Sequence, residues 1–189
     1  MTESVRLSKL MSERGLCSRR EADEYIEQGL VFVDGRKIDV LGTRVDPGCE
    51  IKLAGAAKAS QELRVTILLN KPIGFVSGQP EPGYQPAVIL IRQETHWPGS
   101  GGPAFKPAML KGLAPAGRLD IDSTGLLVMT QDGRVAKQLI GDDSEVEKEY
   151  LVRVQGQLSE QGMKLLNHGL SLDGEALRPY NVRPSALLF

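Results

Sequence analysis

The chain has 189 residues, of which 41% are apolar and 25% are charged, and its formal net charge is -1. This size and apolar content are sufficient for one medium domain or two small ones. A net charge near zero does not by itself indicate a nucleic-acid binder, so a cationic surface must be local. No apolar run approaches the roughly 18 residues of a membrane span, and the first residues lack a secretory signal pattern. We therefore expect a globular, cytoplasmic protein.

The cysteines and histidines offer no metal-binding pattern. Cys17 and Cys49 form neither a CxxC pair nor a disulfide framework, which predicts free thiols in a reducing compartment. His96 and His168 are isolated from each other and from the cysteines, which is typical of surface or loop histidines. We therefore expect no zinc site.

The first 54 residues predict a compact helix-helix-hairpin module. Leu7, Leu10 and Met11 recur at helical spacing, and Gly15 follows where such a helix would end. A capping box beginning at Ser18 predicts a second helix. The predicted later features are a strand at Val31-Phe32-Val33, a tight turn at Asp34-Gly35, short strands between Ile38 and Leu53, and a turn at Pro47-Gly48.

Basic side chains collect around these two helices. They are Arg6, Lys9, Arg19 and Arg20. Arg19 and Arg20 fall in the first turn of their helix, where the helix dipole disfavours cations and a phosphate ligand would reverse the penalty. From charge alone, a basic face that is merely solvated is as good an interpretation as a phosphate-binding face.

Residues 54–60 are small and polar without an apolar period, which predicts a flexible interdomain linker. A buried strand is expected at Val65 to Leu69, followed by a turn that Pro72 imposes. Lys71 then lies near a strand end, either in solvent or in contact with RNA.

Residues 79–112 are rich in glycine and proline, so only a short helix near Ala87 to Arg92 is expected. The run Gly99 to Pro103 lacks the ending of a phosphate loop, which argues against nucleoside triphosphate binding. A loop of this length is usually functional or mobile, and an RNA-facing role is one interpretation.

The stretch from Gly117 to Thr130 is the centre of the sequence, because a charged turn leads directly into an apolar strand. In extended conformation Arg118 and Asp120 point to one side and Leu119 to the other. A carboxylate beside a guanidinium is expected to be ionised and could act as a nucleophile or base, while Arg118 neutralises it or contacts phosphate. The alternative is a solvated turn with no chemistry.

The remaining chain alternates predicted helices and strands. Expected are a helix carrying Val135, Leu139 and Ile140, a strand at 147–154, a helix at 159–167 and a hairpin at 169–177. Tyr150 falls in the predicted strand, where a buried core aromatic is the ordinary interpretation.

Three motifs resemble the RsuA-type ribosomal RNA pseudouridine synthases. They are the string from Gly117 to Gly133 (Gly-Arg-Leu-Asp through Thr-Gln-Asp-Gly), Asn70-Lys71-Pro72-Ile73-Gly74, and Lys148-Glu149-Tyr150-Leu151-Val152. The resemblance implies that Asp120 is the catalytic aspartate and that Tyr150 packs on the target uracil. It also implies isomerisation of uridine to pseudouridine without a metal or organic cofactor. Arg118 is expected to fill the gap left by the flipped base or to pair with Asp120.

The N-terminal module resembles the S4 RNA-binding domain over nearly its whole length. The strings that carry this resemblance are Arg6 to Leu10, Gly15 to Ala22 and Gln28 to Gly35. It implies RNA contacts at positions matching Arg6, Lys9, Ser18, Arg19 and Arg20. Such contacts read RNA backbone and shape more than sequence.

Together the resemblances imply an α+β protein. The expected domains are an S4 (helix-helix-hairpin) domain at 1–54, a linker at 55–64 and a pseudouridine synthase domain at 65–189. The second domain is expected to be a mainly antiparallel mixed sheet with flanking helices. The family's Arg-Gln-Ile-Arg-Arg motif does not occur here, and Ile91-Arg92-Gln93 does not match it. We therefore expect a sheet that is incomplete at the C-terminus and weak or absent activity.

The resemblance also leads to a hypothesis about the partner. The second helix and the hairpin look closest to the type F-like branch, which implies ribosomal RNA of the large subunit (23S) as substrate and a monomeric enzyme. The competing hypothesis is a non-catalytic S4-domain RNA-binding protein, or an inactive fragment of such an enzyme.

Overall fold

The computed structural model describes residues 4–79, 81–99, 101–177 and 179–184. It contains two compact units, Met1–Val146 and Glu147–Phe189. The first unit begins with β1 (Val5–Arg6), α1 (Leu7–Glu13), α2 (Arg19–Glu27), β2 (Val31–Val33), β3 (Arg36–Ile38), β4 (Arg44–Val45) and β5 (Ile51–Leu53). These elements form the N-terminal module.

The helices of the N-terminal module form as the sequence predicts. In α1, Leu7 and Met11 are fully buried, and α2 buries Ala22 and Ile26 beside them. The predicted capping box of α2 is present, since the Ser18 hydroxyl accepts from the backbone of the third residue and that residue's carboxylate accepts from the Ser18 backbone. Helix α2 therefore begins where its local sequence satisfies free backbone N–H groups, whereas α1 begins after Arg6 without a side-chain cap.

The strands of the module form an antiparallel sheet of order β3-β2-β5, and β1 pairs with β4. Asp34 and Gly35 form the predicted tight turn between β2 and β3, with φ of 47° and 79°. Positive φ at both central positions gives the turn a twist that matches paired strands. Val31 of β2 is fully buried against the helices and completes the core.

The rest of the first unit carries the larger sheet. Its elements are α3 (Gly55–Glu62), β6 (Thr66–Lys71), β7 (Phe75–Val76), β8 (Gln85–Pro86), β9 (Ala114–Pro115), β10 (Gly125–Thr130) and α4 (Gly133–Ile140). The main sheet has the order β6-β10-β9 and is antiparallel, with Leu127 opposite Leu69. A short parallel pair, β7 with β8, makes the topology mixed.

Residues 55–62 are helical, so the prediction of a flexible linker without regular structure is wrong there. Ala57 is fully buried and belongs to the core of the N-terminal module. The Gln61 side chain donates 2.8 Å to the carbonyl of Leu16. The sequence pattern did not predict this helix, because a single buried alanine does not produce a recognisable apolar period.

Strand β6 is buried on one face only, which corrects the expectation of a fully buried strand. Ile67 and Leu69 pack against the core that Leu127 and Met129 of β10 form. On the opposite face Leu68 is 68% exposed. The antiparallel pairing produces this difference, since successive side chains of a strand point to opposite faces.

In the described part of residues 79–112, the helical structure is limited to short turns, as the composition predicts. Three 3-10 helices occur, at Ala87–Leu90, Gln93–Thr95 and Pro107–Leu110. Ala87 and Ile91 are buried in the core of the main sheet. The loop is therefore fixed to the sheet by its apolar residues.

The second unit contains α5 (Glu160–His168) and the hairpin of β11 (Ser171–Leu172) and β12 (Glu175–Ala176). Both were predicted. The strand predicted at 147–154 is absent from the structure, where these residues have no regular secondary structure. A strand requires a hydrogen-bonded neighbour, and no described strand pairs with this segment. The apolar run Ala186 to Phe189 lies outside the described residues.

No helix in the described part of the chain is both long enough and apolar enough to cross a membrane. Both cysteines are buried free thiols, as expected from their spacing. His96 and His168 are exposed, which also agrees with the sequence.

Candidate active site

The candidate site is the loop from Gly117 to Thr124, which lies between β9 and β10. The predicted alternation is confirmed, although the segment is a loop rather than a strand. Arg118 and Asp120 are exposed, whereas Leu119 between them packs against the core of the main sheet. With the apolar side chain between them packed inward, the guanidinium and the carboxylate are both left exposed on the loop.

Hydrogen bonds from the turn after β6 and from the residue that follows β7 fix this loop. The Ser77 hydroxyl donates to the carbonyl of Leu119 at 2.7 Å and accepts from the amide of Leu119 at 2.8 Å. The Gly74 amide donates 2.8 Å to the carbonyl of Ile121. Within the loop, the Ser123 amide donates 3.0 Å to the carbonyl of Asp120. The backbone on either side of Asp120 is therefore restrained.

Lys71 is fully buried, so the predictions of solvent exposure and of RNA contact are both wrong for this side chain. Its Nζ donates 3.0 Å to the carbonyl of Pro72 and 2.9 Å to that of Phe75. The ammonium closes the turn after β6 by binding two of its carbonyl groups. The burial of Lys71 could not be predicted from the sequence, because residues far along the chain determine which face of a strand end is covered.

The buried ammonium also interacts with the charged loop. Burial lowers the pKa of Lys71, because removal from water disfavours its charged form. The carboxylates of Asp120 and Asp122 act in the opposite direction and raise it. The two loop carboxylates thus lie within electrostatic range of a cation that is shielded from solvent.

A groove of about 420 Å³ runs beside the loop. Arg118 and Gly117 line one part of it, while Ser77, Pro115 and Ile140 line others. A groove of this size, with apolar walls and an exposed guanidinium, suits a planar base or a sugar with its phosphate. An exposed carboxylate two residues from Arg118 can act there as a nucleophile or base.

The predicted RNA-contacting cations lie on the surface of the N-terminal module. Arg6, Arg19 and Arg20 are exposed, and exposed Lys9 lies 3.5 Å from the carboxylate of Glu13. The Ser18 hydroxyl is half-buried and occupied by helix capping. Four cations near the starts of α1 and α2 therefore face solvent. This exposure is compatible both with a solvated face and with an RNA-binding face.

Tyr150 lies in the second unit and is 61% exposed. The alternative of a buried core aromatic is therefore wrong. Its ring is accessible to a ligand, although the strand expected around it did not form.

The N-terminal module packs against the rest of the first unit through residues that the sequence did not single out. Arg64 forms an ion pair with Glu21 and donates 2.9 Å to the hydroxyl of Tyr25. The Lys137 Nζ of α4 donates 2.9 Å to the carbonyl of Ser12. A groove of about 580 Å³ lies at this junction. These contacts between the N-terminal module and the rest of the unit could not be predicted, because a single arginine or lysine in a polar segment forms no recognisable sequence pattern.

Comparison with known sequences now identifies the N-terminal module and most of the chain that follows it. The S4 domain model matches residues 5–51. The RNA pseudouridylate synthase model matches residues 65–176, which is more than half of the chain. The chain belongs to the RNA pseudouridylate synthase family. The resemblance of the motifs around Asp120 is thereby confirmed.

Individual relatives of this pseudouridylate synthase family support the assignment. The dual-specificity RNA pseudouridine synthase RluF of Escherichia coli (strain K12) is 35% identical over 185 residues, covering 97% of this chain. An uncharacterized RNA pseudouridine synthase of Mycobacterium leprae (strain TN) is 37% identical over 172 residues, covering 90% of this chain. The chain spans 58% of the length of the first relative and 62% of the second.

A solved structure agrees with these sequence relatives. A crystal structure of a pseudouridylate synthase superposes with a TM-score of 0.53 and 25% identity, covering 93% of this chain and 70% of that chain. The predicted fold, an S4 domain followed by a pseudouridine synthase domain with mainly antiparallel sheets and helices, is confirmed.

Proposed function

We propose that this protein isomerises a uridine to pseudouridine within RNA, with Asp120 as the catalytic nucleophile or base. One observation carries the proposal beyond family membership. The Asp120 carboxylate is exposed on a loop that is hydrogen-bonded to the neighbouring turn and that borders a groove through Arg118. A fixed carboxylate with space beside it is what attack on a bound sugar or base requires.

The reaction breaks the N1–C1′ bond of uridine and forms a C5–C1′ bond. The proton leaves C5, and N1 of the rotated base gains one, so no oxidant, metal or cofactor is required. Asp120 attacks C1′ or uracil C6, or removes a ribose proton. Tyr150 packs on the uracil and assists removal of the proton from C5.

The uridine must leave its stack before it can react. Extrusion of a base from folded RNA costs a few kcal/mol. Arg118 recovers part of this free energy by occupying the space that the base leaves or by contacting a phosphate. Its exposed guanidinium, without a hydrogen-bonding partner among the described residues, is available for that contact.

The proposed substrate is ribosomal RNA of the large subunit (23S), bound by a monomer in the cytoplasm. Residues 1–54 are the proposed RNA-binding domain, 55–64 the connection and 65–189 the catalytic domain. The proposed RNA contacts are Arg6, Lys9, Ser18, Arg19 and Arg20. The exposure of the four cations supports binding to phosphates.

The test measures tritium release from C5-labelled uridine in ribosomal RNA transcripts. We expect weak but measurable release by the chain, since the Arg-Gln-Ile-Arg-Arg motif does not occur in it, and abolition of that release by Asp120→Asn with unchanged RNA affinity. The matched control is Asp122→Asn, which removes an exposed carboxylate of the same loop and should retain release. Binding of the transcript without any release would instead favour the non-catalytic RNA-binding protein. Equal loss in both variants would contradict the specific role of Asp120.

A further inference from the structure

We propose that Ser77 is a positioning residue, whose hydroxyl holds Arg118 and Asp120 in the geometry that the reaction requires. The inference rests on the proposed function, because it concerns the same loop. Ser77 directly follows the short strand β7 and lies 42 positions before the residue that it binds. It acts through the backbone of Leu119.

The contact is reciprocal, and it falls on the residue between the two charged ones. The Ser77 Oγ donates to the Leu119 carbonyl at 2.7 Å and accepts from the Leu119 amide at 2.8 Å. One hydroxyl therefore satisfies both backbone groups of a single residue. Since φ and ψ of Leu119 direct the chain from Arg118 to Asp120, restraint at Leu119 sets the relative directions of both side chains.

The site allows no simple substitute for the hydroxyl. Ser77 is 5% exposed, so bulk water cannot replace the two hydrogen bonds when the side chain is removed. A hydroxyl is both a donor and an acceptor, whereas an alanine methyl is neither. Its loss would leave the amide and the carbonyl of Leu119 without partners, and the loop would relax toward other arrangements.

A second anchor makes this restraint effective. Fully buried Lys71 binds the carbonyls of Pro72 and Phe75, so the turn that leads into β7, two residues before Ser77, is itself fixed to β6. The buried ammonium restrains the turn, and the serine restrains the loop. A displacement of about 1 Å at a reacting group can reduce the rate about 100-fold. Loss of the serine should therefore reduce kcat more than it reduces RNA binding.

The experiment compares Ser77→Ala with Thr130→Val in the whole chain. Thr130 is the matched control, because it is 5% exposed and its hydroxyl also has two partners, Thr66 Oγ1 at 2.8 Å and the Asp132 amide at 3.0 Å. It lies on β10 and does not contact the loop backbone. Each variant loses one buried hydroxyl that has two hydrogen-bonding partners.

For Ser77→Ala we expect kcat to fall about 10- to 100-fold while KM for the RNA changes less than about threefold. Hydrogen exchange at the Leu119 amide should accelerate by a factor of about ten or more, since its acceptor is lost. Thr130→Val should retain kcat within about twofold despite its lower stability. Thermal unfolding monitors whether each variant is folded.

Two results would overturn the inference. One is an unchanged kcat in folded Ser77→Ala, and the other is a parallel fall of kcat in Thr130→Val. Absence of tritium release by the unsubstituted chain would refute the proposed function, and the catalytic consequence of Ser77 with it. Leu119 exchange distinguishes the cases, because it reports the restraint independently of turnover.

Discussion

Gly133, the first residue of α4, lies directly against Ser18, the N-cap of α2. A Cβ at Gly133 would come 2.8 Å from the Ser18 hydroxyl and 3.0 Å from a Glu21 carboxylate oxygen. The N-termini of two helices therefore meet at the junction of the N-terminal module with the remainder of the first unit. Glu21 and Asp132 place carboxylates at these helix ends, where the positive dipole ends favour them.

Substitution of Gly133 by alanine should destabilise the first unit. A methyl group has no space between the two helix ends, so α4 must move away from α2. Overpacking of this kind costs about 1 to 3 kcal/mol, measurable by urea unfolding. The control is Gly55→Ala in α3, where no heavy atom lies within 4 Å of the added methyl. Equal stability of the two variants would show that the contact between Gly133 and Ser18 is looser than described.

Removal of the Arg64 guanidinium should be strongly destabilising. The side chains of Arg64 and Glu21 are only 14% and 10% exposed, so Arg64→Met leaves a buried carboxylate without its cation. The expected loss is about 3 kcal/mol in the free energy of unfolding. Glu21→Gln retains the capping geometry, and the double variant should recover part of the loss. Additive effects in the double-mutant cycle would contradict direct coupling.

Lys71→Met should leave the salt dependence of RNA binding unchanged. Its ammonium is fully buried and bound to the turn, so it releases no counterion from RNA. Arg19→Ala is the positive control, and should reduce the slope of log affinity against log salt by about 0.7 to 0.9 if Arg19 contacts a phosphate. A similar reduction in Lys71→Met would show that this lysine reaches the RNA after all.

The stability of the first unit should fall as the pH rises from 9 to 11. Burial raises the pKa of the Cys17 thiol from 9.0 to about 11, so the unfolded chain loses this proton first. Stability is therefore complete below pH 9 and declines above it, by about 3 kcal/mol at 1.36 kcal/mol per pKa unit. Cys17→Ala should lack most of this decline in urea unfolding at several pH values, and burial of Tyr25 and Cys49, which also raises their pKa values, accounts for the remainder. Cys49→Ala should retain most of it, and an identical decline in both variants would refute the role of Cys17.

The sequence predicted those elements whose causes are local. The apolar period of Leu7, Leu10 and Met11, and the capping box from Ser18 to Glu21, produced α1 and α2 at the expected positions. The alternation across Arg118, Leu119 and Asp120 also appeared as predicted. In each case, the residues that decide the conformation lie within a few positions of one another.

Predictions failed where contacts with residues distant in sequence determine the secondary structure. Residues 55–62 became a helix because Ala57 and Gln61 find contacts in the N-terminal module. The segment 147–154 has an apolar alternation suited to a strand, but no described strand hydrogen-bonds to it. A pattern can show that a segment could be a strand, while pairing determines whether it is one.

The sequence by itself determined the family, the segment that carries Asp120 and the exposure of Arg118 and Asp120 on either side of Leu119. Only the tertiary structure placed Lys71 in the interior and brought the Ser77 hydroxyl to the backbone of Leu119. Burial and hydrogen bonding between residues 42 positions apart depend on how the chain folds back on itself. Local sequence patterns do not predict such long-range contacts, because each pattern describes only a few neighbouring residues.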